Sequence, residues 1–268
     1  YKCVPCTPQT GVIEWVEGCR PLGDFLMHRE TGLHARYYPS DLTHRECRER
    51  MAQVRDANIH EKEAAFHQIC RHFHPAFRFL FMEQYPDPAQ WLSCRLAYTR
   101  SVAVNSMIGY VMGIGDRHSN NILIDVNSSE MVHIDFGIVF DQGKLLPTPE
   151  TVPFRLTRDV VDGMGITGVE GTFRRSCEQV LGALRKSSHQ VVTICEVVVR
   201  DPLYKWSLSP LEARKKQQRS KLKGQSKKDK ADGGGAEAEG TYADGSGAAA
   251  AAGQSNGNGT GEARIKMP

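Results

Sequence analysis

Asp116 and Asn121 stand five residues apart, and Asp135 follows after two short apolar runs, Ile122 to Asp125 and Met131 to Ile134. Between the runs, Val126 to Glu130 contains Asn127, Ser128 and Ser129, all turn formers, so the segment predicts a β-hairpin. With the turn centred on Ser128, Asn121 faces Asp135 at the open end, their Cα atoms within about 5 Å. An amide oxygen and a carboxylate brought together in this way suit a hard divalent cation that keeps waters and phosphate oxygens as its other ligands. Asp116 lies in a glycine-flanked loop after an apolar helix, where a carboxylate is placed to accept or orient the proton of an attacking hydroxyl.

Each of these residues also has an ordinary use. Asn and Asp at hairpin ends cap and turn, Asp135-Phe136-Gly137 is a common turn, and His118 alone suits a hydrogen-bonded structural histidine. The order is more informative than the parts. An acid, an Asn five residues later, a hairpin and then Asp-Phe-Gly follow the layout of phosphoryl-transfer sites, where a catalytic-loop Asp and Asn precede the metal-binding Asp. The loop reads Asp116-Arg117-His118, the reverse of the His-Arg-Asp order of ordinary protein kinases.

Helices must position this constellation. Val12 to Val16 predicts a short strand, and PLGDFLM, from Pro21, turns helical. Helices are predicted from a Ser40 or Asp41 cap to about Arg55, over Glu61 to Phe73 and over Pro75 to Tyr85. A long apolar helix begins after Pro88 and leads into Gly113, the buried spine of a helical domain. After Thr157 helices resume, the last stretch, SHQVVTICEVVV, being ambiguous between helix and strand.

The chain has 268 residues, enough for one sizeable domain or two small ones. From Arg214 it becomes Lys/Arg-rich and then Gly, Ala, Ser and Asn, a composition that predicts disorder over residues 211–268. Glu212 to Pro268 carries 11 Lys/Arg against 7 Asp/Glu, a surplus larger than the whole-chain net charge of +3. The body therefore offers no electrostatic argument for nucleic-acid contact, and the cluster Arg214 to Lys230 reads as a solvated linker or an import or nucleic-acid patch. No apolar run reaches the roughly 18 residues of a membrane span. Eight scattered cysteines read as reduced thiols, and the Cys3–Cys6 pair has no second pair at zinc-finger spacing. The first residue is Tyr, so the chain reads as a piece of something longer.

GDRHSNNILI followed by HIDFG resembles the catalytic and metal loops of the phosphatidylinositol 3-kinase-related superfamily, which contains lipid kinases and giant protein Ser/Thr kinases. The stretch from Leu146 to Glu178, with GVIEWVEGCRPLGDFL and RLAYTRSVAVNSMIGYVMGIGDRH, resembles the protein-kinase branch active in DNA-damage signalling. The resemblance covers about residues 1–210. It implies an α+β, kinase-like PI3/PI4-kinase catalytic domain, mainly the helical C-lobe plus hinge. Its hinge would be 12–18, its catalytic loop 115–121, its metal loop 135–137 and its activation loop 137–153. Position by position, it implies that Asp116 is catalytic, that His118 stabilises charge on the transferring phosphate, and that Asn121 and Asp135 are metal ligands. Glu14, Trp15 and Val16 match the adenine-binding hinge, although Trp15 by itself suits core filling. Further implications are ATP with Mg²⁺ or Mn²⁺, phosphorylation of Ser/Thr before Gln, DNA-break sensor proteins and a second copy as partners, and a nuclear location.

A Gly-rich loop, a phosphate-holding Lys and its carboxylate partner cannot be located upstream of Trp15, so the chain as given is expected to be inactive alone. The family's C-terminal closing segment is also not found. A phosphatidylinositol kinase is the alternative enzyme, but GIVFDQGKLLPTPETVP sets only Lys144 against Asp141 and Glu150, a poor match to an anionic headgroup. A non-catalytic interaction piece is the third reading. Thr148 and Thr151 suit either phosphorylation or turn chemistry.

Overall fold

The computed structural model describes residues 1–7, 10–146 and 149–200. The expected disordered tail at 211–268, the domain boundary at 210, the cluster Arg214 to Lys230 and Thr148 lie outside the described residues.

A long central helix organises the rest. Asp87 accepts the Gln90 amide as N-cap, and Pro88 fills the first turn, where its missing N–H costs nothing. The helix, Pro88–Met112, ends at Gly113, whose φ of 59° supplies the left-handed C-cap that glycine adopts without strain. Cys94, Tyr98, Val102 and Ser106 recur every fourth residue and face the interior with Thr99, Ala103 and Met107. Tyr98 is fully buried: its hydroxyl donates to the Val160 carbonyl at 2.9 Å, and its ring lies 5.4 Å from Phe77 and 5.2 Å from Phe81. A Cβ at Gly163 would come within 2.6 Å of the Phe77 ring, so only glycine lets that turn approach.

In chain order, β1 (Cys3–Thr7) and β2 (Thr10–Ile13) form an exposed antiparallel ribbon. β3 (Cys19–Pro21) joins β4 (Ile122–Asp125) and β5 (Met131–His133) in an antiparallel sheet of order β3-β4-β5. The helices are α1 (Leu22–Met27), α2 (Leu33–Tyr37), α3 (His44–Gln53), α4 (Ile59–Arg71), α5 (Arg78–Gln84), α6 (Pro88–Met112), α7 (Arg158–Gly163), α8 (Thr172–Lys186) and α9 (Ser188–Val199). Leu22, Leu33, Phe77, Phe81, Val102, Ile122 and Ile124 meet in one core between sheet and helices.

Several expectations are corrected. Strand β2 stops at Ile13, leaving Glu14 to Val16 without regular structure. The cap of α3 is Thr43, in a reciprocal capping box with Glu46, because the Asp41 carboxylate is taken by the His74 backbone and ring. SHQVVTICEVVV is helical. The hairpin register is shifted by one: Ile122 pairs with His133 and Ile124 with Met131, so Asn121 opposes Ile134 and not Asp135. The cause is a four-residue turn. Asp125 Oδ1 accepts the Asn127 and Ser128 amides, Ser129 adopts a φ of 64°, and Asp125 bonds Glu130. Tyr85, the C-cap residue that follows α5, clamps this turn by donating to Val126 O at 2.8 Å and accepting from Ser129 Oγ at 2.7 Å.

Polar residues inside α6 also have partners. Ser101 Oγ accepts the Met131 amide, and Asn105 donates to the Met131 carbonyl, so β5 meets the helix with its backbone satisfied. Among the described residues no helix is long and apolar enough to cross a membrane, and the described cysteines are free.

In α2, His34 Nε2 donates to Asp159 Oδ2 at 3.1 Å and its ring stacks on Phe73, while His44 packs edge-on against both rings. Burial pushes the His44 imidazole down from 6.5 to about 4, with His34, Arg48 and Arg155 acting in the same direction and Asp159 against it. The unfolded chain binds this proton first, so stability should fall as pH drops from 6.5 towards 4. Discounted for partial solvent access, the loss is about 1 to 2 kcal/mol. Urea titrations across that range should show a flatter profile for His44→Phe; an unchanged slope would remove His44 from the acid response.

Candidate active site

The loop leaving α6 is tied at every step. Ile114 donates to Gly109 O, Gly115 donates to Ile138 O at 2.9 Å, and Asn121 donates to His118 O at 3.0 Å. From the other side, Gly23 at the start of α1 donates to Ser119 O at 3.1 Å. Asp116 and Asp135 each sit at a φ of 57°, in the left-handed region that Asp tolerates better than most residues. Such conformations persist where the surroundings over-determine them.

Arg117 supplies much of that determination. The side chain is buried, and Nε donates to Gly115 O at 2.9 Å while Nη1 donates to Ile134 O at 2.6 Å. Nη2 donates to Asp135 O, and the Phe136 ring lies 5.5 Å from the guanidinium. One planar cation therefore staples the 115–121 loop to the 135–137 loop. Burial lowers its proton affinity from the ordinary arginine value, and the carboxylates of Asp135, Asp116 and Glu150 oppose that.

The amide of Asn121 has a determined orientation. Its Nδ2 donates to Asp116 O at 2.9 Å, which leaves Oδ1 as the group able to accept or coordinate. Asp135 is exposed, and its Oδ1 accepts the Gly137 amide at 3.2 Å, leaving Oδ2. One amide oxygen and one carboxylate oxygen fit a hard cation that retains waters and phosphate oxygens, and not a site made wholly of protein ligands. Among the described residues there is accordingly no cluster of three or more His, Cys, Asp or Glu side chains suited to hold a metal. His118 Nδ1 accepts the Asn120 amide at 3.2 Å, so the neutral ring carries its proton on Nε2 as a donor.

Asp116, His118, Asn121 and Asp135 thus share one end of the β4–β5 hairpin. Glu14, Trp15 and Val16 lie apart, after β2. Glu14 N donates to Lys2 O at 2.8 Å, and its carboxylate accepts the Lys2 amide at 2.7 Å. Trp15 is 85% exposed and does not fill the core. Burial raises the Tyr1 phenol pKa, with Cys3 and Asp135 acting in the same direction and Arg117 against it. Arg117, Gly23 and Glu150 belong to the site's framework but were not singled out by the sequence as framework residues. Glu150 accepts the Asp116 amide with both oxygens, at 3.0 Å each.

The chain matches the family described as phosphatidylinositol 3- and 4-kinase over residues 1–208. It belongs to that family. It is 52% identical over 219 residues to serine-protein kinase ATM of Sus scrofa, covering 82% of this chain and 7% of that protein. Similarity to serine/threonine-protein kinase ATM of Arabidopsis thaliana is also 52%, over 81% of this chain and 6% of that protein. The chain therefore spans a small part of the relatives it matches. A solved structure of the FAT and kinase domain of CtTel1 superposes with a TM-score of 0.72 at 45% identity, covering 83% of this chain and 16% of that one. A Tel1 kinase butterfly symmetric dimer gives 0.69 at 41%, over 85% of this chain and 10% of that one. The architecture is thus that of a kinase catalytic domain, helix-rich with short strands.

Replacing Arg117 by Met should leave the carbonyls of Gly115, Ile134 and Asp135 without their donor and cost about 3 kcal/mol in urea unfolding. Arg117→Lys should rescue little, because an ammonium cannot span three carbonyls as a planar fork does. Full stability in Arg117→Lys would show that charge, and not the fork, closes the site.

Proposed function

We propose that this chain carries the catalytic and metal loops of an ATP-dependent protein Ser/Thr kinase of the ATM type. The observation that carries the reading is the Arg117 staple, which groups Asp116, a His118 Nε2 donor, Asn121 Oδ1 and Asp135 at one hairpin end. Asp116 accepts the proton of a substrate Ser or Thr hydroxyl as its oxygen bonds to the γ-phosphorus. The bond from that phosphorus to the β–γ bridging oxygen breaks, and ADP leaves. His118 Nε2–H faces the developing negative charge on the transferring group. Asn121 and Asp135 would hold Mg²⁺ or Mn²⁺, which neutralises phosphate charge when bound. In the hinge the Glu14 amide is already bonded to Lys2 O, so adenine recognition falls to the Glu14 carbonyl and Val16 amide, with Trp15 offering its exposed ring.

A protein substrate is supported by the activation segment. Its single cation, Lys144, pairs with Asp141 at 2.8 Å, and Glu150 turns inward, leaving no basic cluster for a lipid headgroup. By kinship with ATM and Tel1 kinases we place the activity in the nucleus, in DNA-damage signalling, on Ser/Thr preceding Gln, with DNA-break sensor proteins as partners. The CtTel1 structure described as a complete dimer with C2 symmetry supports a second copy as a further partner.

In an active preparation of the kinase, Asp116→Asn should bind ATP and metal normally and lose turnover by roughly 10³-fold. Equal turnover in the variant and parent would exclude Asp116 as the base. Asp135→Ala should abolish the Mg²⁺ or Mn²⁺ dependence of nucleotide binding, and Asn121→Ala should weaken it less, since a neutral oxygen attracts a cation less than a carboxylate does. An unchanged metal titration in both would refute the ligand assignment.

A further inference from the structure

We propose that Glu150 is a positioning residue: from the activation segment it holds the Asp116 backbone, and so aims the proton-accepting carboxylate. Both carboxylate oxygens accept the Asp116 amide at 3.0 Å, a charge-assisted bond stronger than one to a neutral acceptor. The carboxylate is seated between two glycines. A Cβ on Gly115 would come within 2.6 Å of Glu150 Oε2 and one on Gly143 within 2.3 Å, so both positions leave room for this acid. The seat is closed from its own side, because the Glu150 amide donates to Gly143 O at 3.1 Å. The charges of Asp159 and Glu150 both act on the Arg155 guanidinium, a cation on the same flank.

Asp116 needs such a hold. At a φ of 57° its backbone is in a region that non-glycine residues leave unless retained, and relaxation would swing the carboxylate away from the hydroxyl it serves. Because the hold comes from 137–153, the same segment that would receive a protein substrate sets the aim of the base. Displacements of an ångström are costly to transfer rates, so the effect should appear in kcat and not in ATP affinity.

The inference rests on Asp116 being the base, and its test separates the two. Amide hydrogen exchange on the full chain reads the anchor without any activity. Glu150→Ala should raise exchange at Asp116 by roughly tenfold while the α6 amides stay protected. In the active kinase the same variant should lose kcat by roughly 10²-fold with KM for ATP within about twofold. Glu150→Gln, which keeps one oxygen acceptor, should recover part of that loss. Gly143→Ala, whose methyl displaces the carboxylate from outside the catalytic loop, should reproduce Glu150→Ala. Unchanged exchange at Asp116 in Glu150→Ala would overturn the anchor. Raised exchange with unchanged kcat, or parallel losses in KM and kcat without recovery by Gln, would overturn positioning. Equal turnover in parent and Asp116→Asn would instead overturn the base assignment, whatever the exchange result.

Discussion

A buried guanidinium has to be solvated by something, and Arg117 is solvated by the chain's own carbonyls. Gly115, Ile134 and Asp135 turn their oxygens onto it, with Asn121 O at 3.5 Å. Taking a cation out of water is expensive unless its donors are all engaged. The two loops are therefore not free to separate: each carbonyl that turned away would leave a donor of the cation unmatched. Asp116, His118, Asn121 and Asp135 then stand on a backbone cage held by one residue. Of the three residues Asp116-Arg117-His118, the central Arg is the one that is buried.

The second constraint is on the activation segment. Phe140 and Asp141 adopt φ values of 53° and 61°, and their amides donate to Met112 O and Gly113 O. These are carbonyls that the end of α6 would otherwise leave without partners. A Cβ at Gly113 would sit 2.5 Å from the Asp141 amide, so the helix C-cap and the segment are built as one contact. With Ile138 O on the Gly115 amide and Glu150 on the Asp116 amide, the segment touches the catalytic loop at successive residues.

What could be read from sequence was what local chemistry decides. The order Asp116, Asn121, hairpin, Asp135 and the long apolar helix were visible because spacing and periodicity carry them. The register was not, because Ser129 in a left-handed conformation and Tyr85, at the end of α5, select a four-residue turn over the symmetric one. Strand β3 was missed for a related reason: its partner β4 lies about a hundred residues on, and Gly18, Pro21 and Gly23 read as punctuation. Thr43 lost out to Asp41 as a cap because the competing partner, His74, is invisible locally. Arg117 and Glu150 look like surface charges in a polar loop, and the one available signal was the run of glycines around them, Gly113, Gly115 and Gly143, marking close backbone approach.

These contacts also bear on how a substrate would be chosen. The stretch Gly137 to Pro153 contains three charged side chains, Asp141, Lys144 and Glu150. Two neutralise each other on the surface, and the third turns in to the Asp116 amide. Such a segment exerts little long-range field of its own. Its residues Ile138, Phe140, Asp141 and Glu150 are held by contacts to the end of α6 and to the catalytic loop. A substrate meeting this segment would therefore be sorted by short-range fit around the hydroxyl and not by the segment's charge.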